Sequence, residues 1–391
     1  MSTKHIAVVC AQPGSPNTGM FTVDRAAHRF FATRFPQARA SFHALGETRR
    51  HPFRATLPFA LASLPESLPQ VLAADAIVFW GDFLQARNYW PALARRLAAA
   101  GLCADEAAAL DTIYRVLMLE GAPDAVLAKA VLFGSTLITN TGADLTESRY
   151  AQALARLCGG ARAVLLRDPL STAQVSGPPI LGKNVAQGCD AALLPDREIR
   201  MRGAAEDASA ELGVFFGRAS LTEAFRYHWL AGRVARRLRL RPRWIPWLRI
   251  PLRARRLARL FGRRETQLAP TPLEAIVALE RARFVVTDTY HLTLNAWRRG
   301  VPAVCLSRRD DASLDARTDR KKEVAYRMLG AEAFLVHGEA LSSWSGVRRE
   351  TARVAAVVES GDAARAVAAK VERLGAEVEA RLAAAVRGLV G

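Results

Sequence analysis

The sequence predicts an α/β protein of two parallel-sheet domains, and three observations carry that reading. Short apolar runs alternate with stretches of helical periodicity along nearly the whole chain, the pattern of strands covered by helices on both faces. At 391 residues the chain is longer than one core comfortably supports. The alternation also restarts after Asp196–Asp207, a stretch rich in charge and small residues.

In the first half, strands are expected at Ile6–Ala11, Ala40–Ala44, Ala76–Trp80, Ala130–Leu137, Ala163–Leu166 and Ala191–Leu194. Helical spacing marks Asp24–Arg34, Tyr89–Ala100, Asp105–Leu119 and Glu147–Leu157 between them. The second half repeats the scheme, with strands at Leu212–Phe216, Phe284–Thr287, Ala303–Leu306 and Phe334–Val336. Its helices are expected at Leu273–Arg281, His291–Arg299, Arg320–Leu329 and Arg348–Val358. The domains are therefore 1–200 and 207–391, the second ending in an Ala-rich amphipathic helix, Asp362–Leu389, long enough to fold back across the junction.

The chain carries 55 Lys plus Arg against 37 Asp plus Glu, a net charge of +18, and only six of the cations are Lys. Such an Arg excess suits an anionic ligand or surface. The five Cys lie far apart without a CxxC pair, which excludes a zinc-ligand or disulfide framework. No run is apolar enough to span a bilayer and no secretory signal is visible, so a cytoplasmic protein is expected. The charge concentrates in an insertion at 230–265, where Arg233–Arg264 holds thirteen Arg and no Asp, Glu or Lys. Two helical pieces separated by a turn with Trp244 and Trp247 read as a peripheral anchor on an anionic membrane surface; no nucleic-acid-binding motif accompanies them. A solvated insertion packed on its own domain fits the same residues.

In open α/β sheets ligands sit at the carboxyl ends of strands, so the turns there are the candidate site positions. The loop Gln12–Gly19 follows the first strand with two glycines and leads into a helix. Asp82 ends the third strand, and Arg167-Asp168-Pro169 follows the fifth. Asp168 and Pro169 form an ordinary helix start, whereas Arg167 brings a full charge to the strand edge. Arg218 stands just past the strand that opens the second domain, and His291 begins a helix directly after a buried strand.

Taken in order, Asn17-x-Gly19, Arg167-Asp168-x-x-Ser171, Asp190, and Asp288-x-x-His291 before Gly300-x-Pro302 resemble the polysaccharide pyruvyltransferase family over approximately Ile6 to Leu329. The resemblance implies two Rossmann-like domains in a GT-B-like fold. It also implies transfer of the enolpyruvyl group of phosphoenolpyruvate onto two sugar hydroxyls as a ketal, in exopolysaccharide or cell-envelope glycan synthesis. His291 is then the acid/base group with Asp288 beside it, and the donor is gripped by Arg167, Arg218, Asn17, Gly19, Ser171, Lys321 and Lys322. Asp82 and Tyr290 fall on the acceptor side. The scheme requires no metal and no cofactor beyond phosphoenolpyruvate as co-substrate. The acceptor is a sugar or a lipid-linked glycan at the inner face of the membrane.

The sequence departs from the family pattern at Met20, Thr289 and Leu292, where Asp, Arg and Gly are usual. Losing the Arg removes an anion contact that Arg167, Arg218, Lys321 or Lys322 could replace. A nucleotide-sugar glycosyltransferase of the same architecture, or a non-catalytic relative, is the alternative.

Overall fold

The computed structural model describes residues 3–11, 17–46, 57–195, 210–247, 271–308 and 314–391. By contacts the chain divides into two units. The first comprises Met1–Gly14, Met20–Pro195 and Gly375–Gly391; the second comprises Ser15–Gly19 and Asp196–Leu374. The boundary expected near residue 200 falls outside the described residues. Residues 17–19 group with the second unit, and the end of the last helix groups with the first. The proposed linker, Asp196–Asp207, lies outside the described residues.

The first unit is built on seven parallel strands: β1 His5–Cys10, β2 Arg39–Leu45, β3 Leu61–Leu64, β4 Ala76–Asp82, β5 Ala130–Ser135, β6 Ala163–Leu166 and β7 Val185–Gln187. Their order is β3-β2-β1-β4-β5-β6-β7. The chain therefore winds outward in both directions from β1 and β4, which form the switch point of the sheet. The central strands are wholly buried, β4 and β5 along their full length, which is why they read as unbroken apolar runs. Helices α1 (Thr18–Arg34), α2 (Trp90–Ala99), α3 (Glu106–Leu117), α4 (Ser148–Gly160) and α5 (Pro169–Ser176) belong to the connections. Asp168 accepts the Ser171 N–H at 2.8 Å and caps α5 with Pro169 behind it, as the sequence indicated.

The second unit has five parallel strands: β8 Glu211–Phe215, β9 Arg241–Trp244, β10 Phe284–Thr287, β11 Ala303–Ser307 and β12 Leu335–His337. Their order, β12-β11-β10-β8-β9, places the switch point between β8 and β10. Its helices are α6 (Leu221–Arg237), α7 (Pro272–Glu280), α8 (Tyr290–Arg298), α9 (Leu314–Leu329) and α10 (Trp344–Ser360). The closing helix α11 (Asp362–Val390) ends in the first unit, where Glu379 takes Arg34 in a two-pronged ion pair at 2.8 and 2.9 Å.

Three expectations change. Ala191–Leu194 is not a strand; Asp190 accepts the Ala192 N–H at 3.0 Å and starts a single 3₁₀ turn. The run is apolar because it is buried under α11, where a Cβ at Gly375 would lie 2.5 Å from the Leu193 carbonyl oxygen. Arg241–Trp244 lies not in a helix or a turn but in β9, at the edge of the second sheet. Trp244 and Trp247 are buried, so neither is an interfacial anchor. The remainder of the Arg-rich piece, from residue 248 on, lies outside the described residues.

One buried group in the first sheet couples stability to pH. His43 of β2 has no exposed surface, and its ring nitrogens lie 2.8 Å from the hydroxyls of Ser41 and Ser67. Burial, with His5 nearby, lowers its pKa to about 4. The unfolded chain therefore takes up this proton first as pH falls. The neutral ring's contribution is complete above the unfolded value and is lost as pH drops toward the folded one, roughly 3 kcal/mol in all. Urea midpoints should fall between about pH 6.5 and pH 4, and His43→Asn should flatten that fall. An equal slope in the variant would assign the effect elsewhere.

Candidate functional site

The loop after β8, Phe216–Ala219, is held by one carboxylate from the neighbouring strand end. Asp288 follows β10 and accepts the N–H groups of Gly217 at 2.9 Å, Arg218 at 2.9 Å and Ala219 at 2.8 Å. The Thr289 hydroxyl donates to the same carboxylate at 3.0 Å, and Thr287 ties β10 to Phe215 through a 2.6 Å bond. Asp288 is consequently buried. Three loop amides that could cradle an anion are spent on it, so any anionic ligand here must be held by side chains.

Those side chains are present. A cavity of about 270 Å³ opens at this switch point, lined by Gly217, Arg218, Ala219, Tyr227, Asp288, Leu306, Arg308, Asp319, Lys321 and Lys322. Four cations face two carboxylates. Arg218 is exposed at its rim. Lys322 is deeply buried, held by Asp319 at 2.7 Å and by the Leu306 carbonyl at 3.1 Å. Arg308 is fixed by Glu223, with both bonds at 2.8 Å, and its backbone N–H donates to Asp319 at 2.9 Å. Burial acts to raise the Glu223 carboxyl, but hydrogen bonds from Arg308 and Ser220 hold it below the ordinary value. The same bond raises Arg308, keeping the pair ionised. Burial pushes the Tyr227 phenol well up, so it stays a neutral hydroxyl.

Lys321, which lines the cavity, also reaches a second group of expected residues that do not line it. The Lys321 ammonium lies 5.2 Å from the centre of the Tyr290 ring, and Tyr290 meets His291 at 5.1 Å. Both residues open α8 and both are buried. His291 packs directly on Gly19: a Cβ there would lie 2.4 Å from the His291 Cβ and 2.6 Å from Nδ1. Asn17 accepts the Gly19 N–H at 3.0 Å, and the Thr18 N–H reaches the Trp247 carbonyl at 3.3 Å. Motifs 270 residues apart in sequence are thus in contact within one unit.

Other predicted residues lie in the first unit. Arg167 is buried, and one of its terminal nitrogens bridges Asp82 at 2.8 Å and Asp190 at 3.2 Å. Phe83 stacks 5.0 Å from the guanidinium. Arg167 was expected to grip a donor; its charge is instead offset by two carboxylates. Asp82, expected on the acceptor side, is one of them and sits at φ 44°, a conformation uncommon outside glycine. Ser171 has no exposed surface, and its hydroxyl donates to Asp168 at 2.7 Å while accepting the Leu137 N–H at 2.7 Å. It has no surface to offer a ligand. Near Asp82, burial holds the Asp24 carboxyl well above the usual carboxylate range.

Sequence reasoning missed Arg308, Asp319 and Glu223. Arg308 was findable, since it follows β11 as Arg218 follows β8. Asp319 and Glu223 are ordinary helix residues whose role appears only once the strands are aligned.

No family model and no curated protein matches the chain. Solved structures do. The chain is similar to UDP-GlcNAc 2-epimerase from Neisseria meningitidis bound to UDP-GlcNAc, at 10% identity over 98% of this chain and 100% of that one, with a TM-score of 0.56. It is similar to S. aureus MnaA in a co-structure with UDP, at 8% identity over 97% and 95%, TM-score 0.53. It is also similar to Medicago truncatula UGT71G1 complexed with UDP-glucose, at 10% identity over 100% and 99%, TM-score 0.50. Likeness at this identity defines the fold, two parallel-sheet α/β domains of the GT-B type. To that fold the chain adds a cationic cavity at the switch point of its second sheet.

Proposed function

We propose that the protein is a transferase of glycan synthesis whose second unit binds a phosphate-bearing donor and passes the activated group to a sugar hydroxyl. The observation that carries this reading is the cavity between the ends of β8 and β10, with Arg218, Arg308, Lys321 and Lys322 around it. Fixed cations at a departing phosphate stabilise the charge that develops there without reorganising. Glu223 and Asp319 hold Arg308 and Lys322 in place, and Asp288 holds the loop that carries Arg218. This reading assigns the proton exchange with the acceptor hydroxyl to His291, buried beside the cavity.

A nucleotide sugar is the donor class this reading favours, because the three structural relatives above are described with UDP, UDP-GlcNAc or UDP-glucose. Ketal formation from phosphoenolpyruvate is the second reading, and two observations favour it. The Asn17–Gly19 and Asp288–His291 motifs meet in one unit, and the cavity of about 270 Å³ is at the small end for ligand pockets, suited to a compact dianion. In that reading Thr289, bonded to Asp288, gives up the anion contact and Lys321 or Arg308 supplies it.

Calorimetry with UDP, UDP-sugars, phosphoenolpyruvate and inorganic phosphate separates the readings. Lys321→Ala should weaken the true donor by roughly ten- to a hundredfold, the scale of a lost charge-assisted hydrogen bond. Release of a nucleoside diphosphate on adding acceptor supports the first reading, and release of inorganic phosphate supports the second. Binding of neither donor class, or binding indifferent to Lys321→Ala, overturns the proposal.

A further inference from the structure

The solvent-turned side of α6 carries an apolar stripe among its polar residues. Leu221, Phe225 and Trp229 recur every four residues and share one side of the helix. Leu221 is 60% exposed and Phe225 53%. At the start of α10, Trp344 is 65% exposed and meets Trp229 edge to face, with ring centres 3.8 Å apart. That contact joins two helices of the second unit into one apolar patch.

Its surroundings are cationic. The same side of α6 continues through Arg233 to Arg236, and the Arg233 guanidinium lies 5.8 Å from the Trp229 ring. Arg348, exposed, stands one turn beyond Trp344 on α10. Among the nearby acids, Glu339 is exposed on the turn before α10, and Glu359 stands at the far end of α10. Glu223, the one acid of α6, is bound to Arg308, and Glu350 of α10 is buried against Arg353.

Exposed patches of this kind mark interaction surfaces, and aromatic tips set among arginines complement an anionic bilayer surface. We infer that this face docks on an anionic phospholipid leaflet, Leu221, Phe225 and Trp344 entering the headgroup layer while Arg233, Arg236 and Arg348 meet the phosphates. A second copy of the chain is the poorer occupant, because a twofold contact would bring the arginines of the two copies together. No helix among the described residues is long and apolar enough to cross a membrane, so attachment would be peripheral. The inference is independent of the donor.

Sedimentation of the full chain with vesicles tests it. Vesicles of phosphatidylcholine with about one-quarter phosphatidylglycerol should bring the protein down, pure phosphatidylcholine should not, and added salt should release it. Phe225→Ser/Trp344→Ser should lower partitioning roughly tenfold or more, and Arg233→Gln/Arg236→Gln should lower it as well, with melting temperatures unchanged. Absence of binding to either vesicle overturns the inference. Undiminished binding of the Phe225→Ser/Trp344→Ser variant also overturns it, because other arginines would then be responsible. A dimer in solution that this variant dissolves assigns the face to a second copy instead.

Discussion

Arg167→Ala should destabilise the first unit by about 3–5 kcal/mol, because it removes the cation that two buried carboxylates share. Arg167, Asp82 and Asp190 are 2, 6 and 3% exposed, so water cannot take over the lost contacts. The bonds are 2.8 and 3.2 Å, and both run to the same nitrogen. That detail separates two substitutions. Arg167→Lys keeps one donor nitrogen and should keep much of the stability, whereas a role resting on the two-pronged guanidinium would not survive it. Removing all the charges together, as Asp82→Asn/Arg167→Met/Asp190→Asn, should recover most of what Arg167→Ala loses. Urea unfolding of the three variants measures this. A cost below about 1 kcal/mol for Arg167→Ala would show that the carboxylates do not depend on it.

The same residue shows where a sequence stops being informative. A strand-end arginine reads as a ligand contact only while its partners are unknown, and these lie 85 and 23 residues away along the chain. Asp288 is a parallel case. Its place after a buried strand was legible, but its four partners are not, since three are backbone amides of a loop some 70 residues earlier. It holds that loop and also lines the cavity. Central strands were legible nearly to the residue, because full burial makes them unbroken apolar runs. The edge strands β3, β7 and β9 were not. They are short and partly exposed, and β9 reads Arg-Pro-Arg-Trp. Its register with β8 rather than its own composition makes it a strand. Trp244 and Trp247 mislead for the same reason, since a tryptophan among arginines has identical composition whether it faces lipid or a core.

The largest expected loss of activity comes from the contact between Gly19 and His291. Gly19→Ala should cost roughly 1–3 kcal/mol of stability, the scale of overpacking, and lower turnover of the proposed reaction by about 10²-fold. The reason is geometric: the added Cβ would stand 2.4 Å from the His291 Cβ and 2.6 Å from Nδ1, so the start of α1 or the imidazole must move. Loss of the ring alone, in His291→Ala, should give a similar fall in turnover with the fold intact, as for other general acid/base groups. Combining the substitutions distinguishes packing from chemistry. Because the closest atom is the His291 Cβ, Gly19→Ala/His291→Ala keeps the clash and should stay destabilised. Gly19→Ala/His291→Gly removes that atom and should recover the overpacking cost, less the ~1 kcal/mol that a helical glycine itself loses. Turnover should stay low in both double variants, since neither restores an imidazole. Recovery of stability together with turnover would mean that His291 only fills space behind Gly19. Normal stability and turnover in Gly19→Ala itself would mean that the two motifs do not press on each other at all.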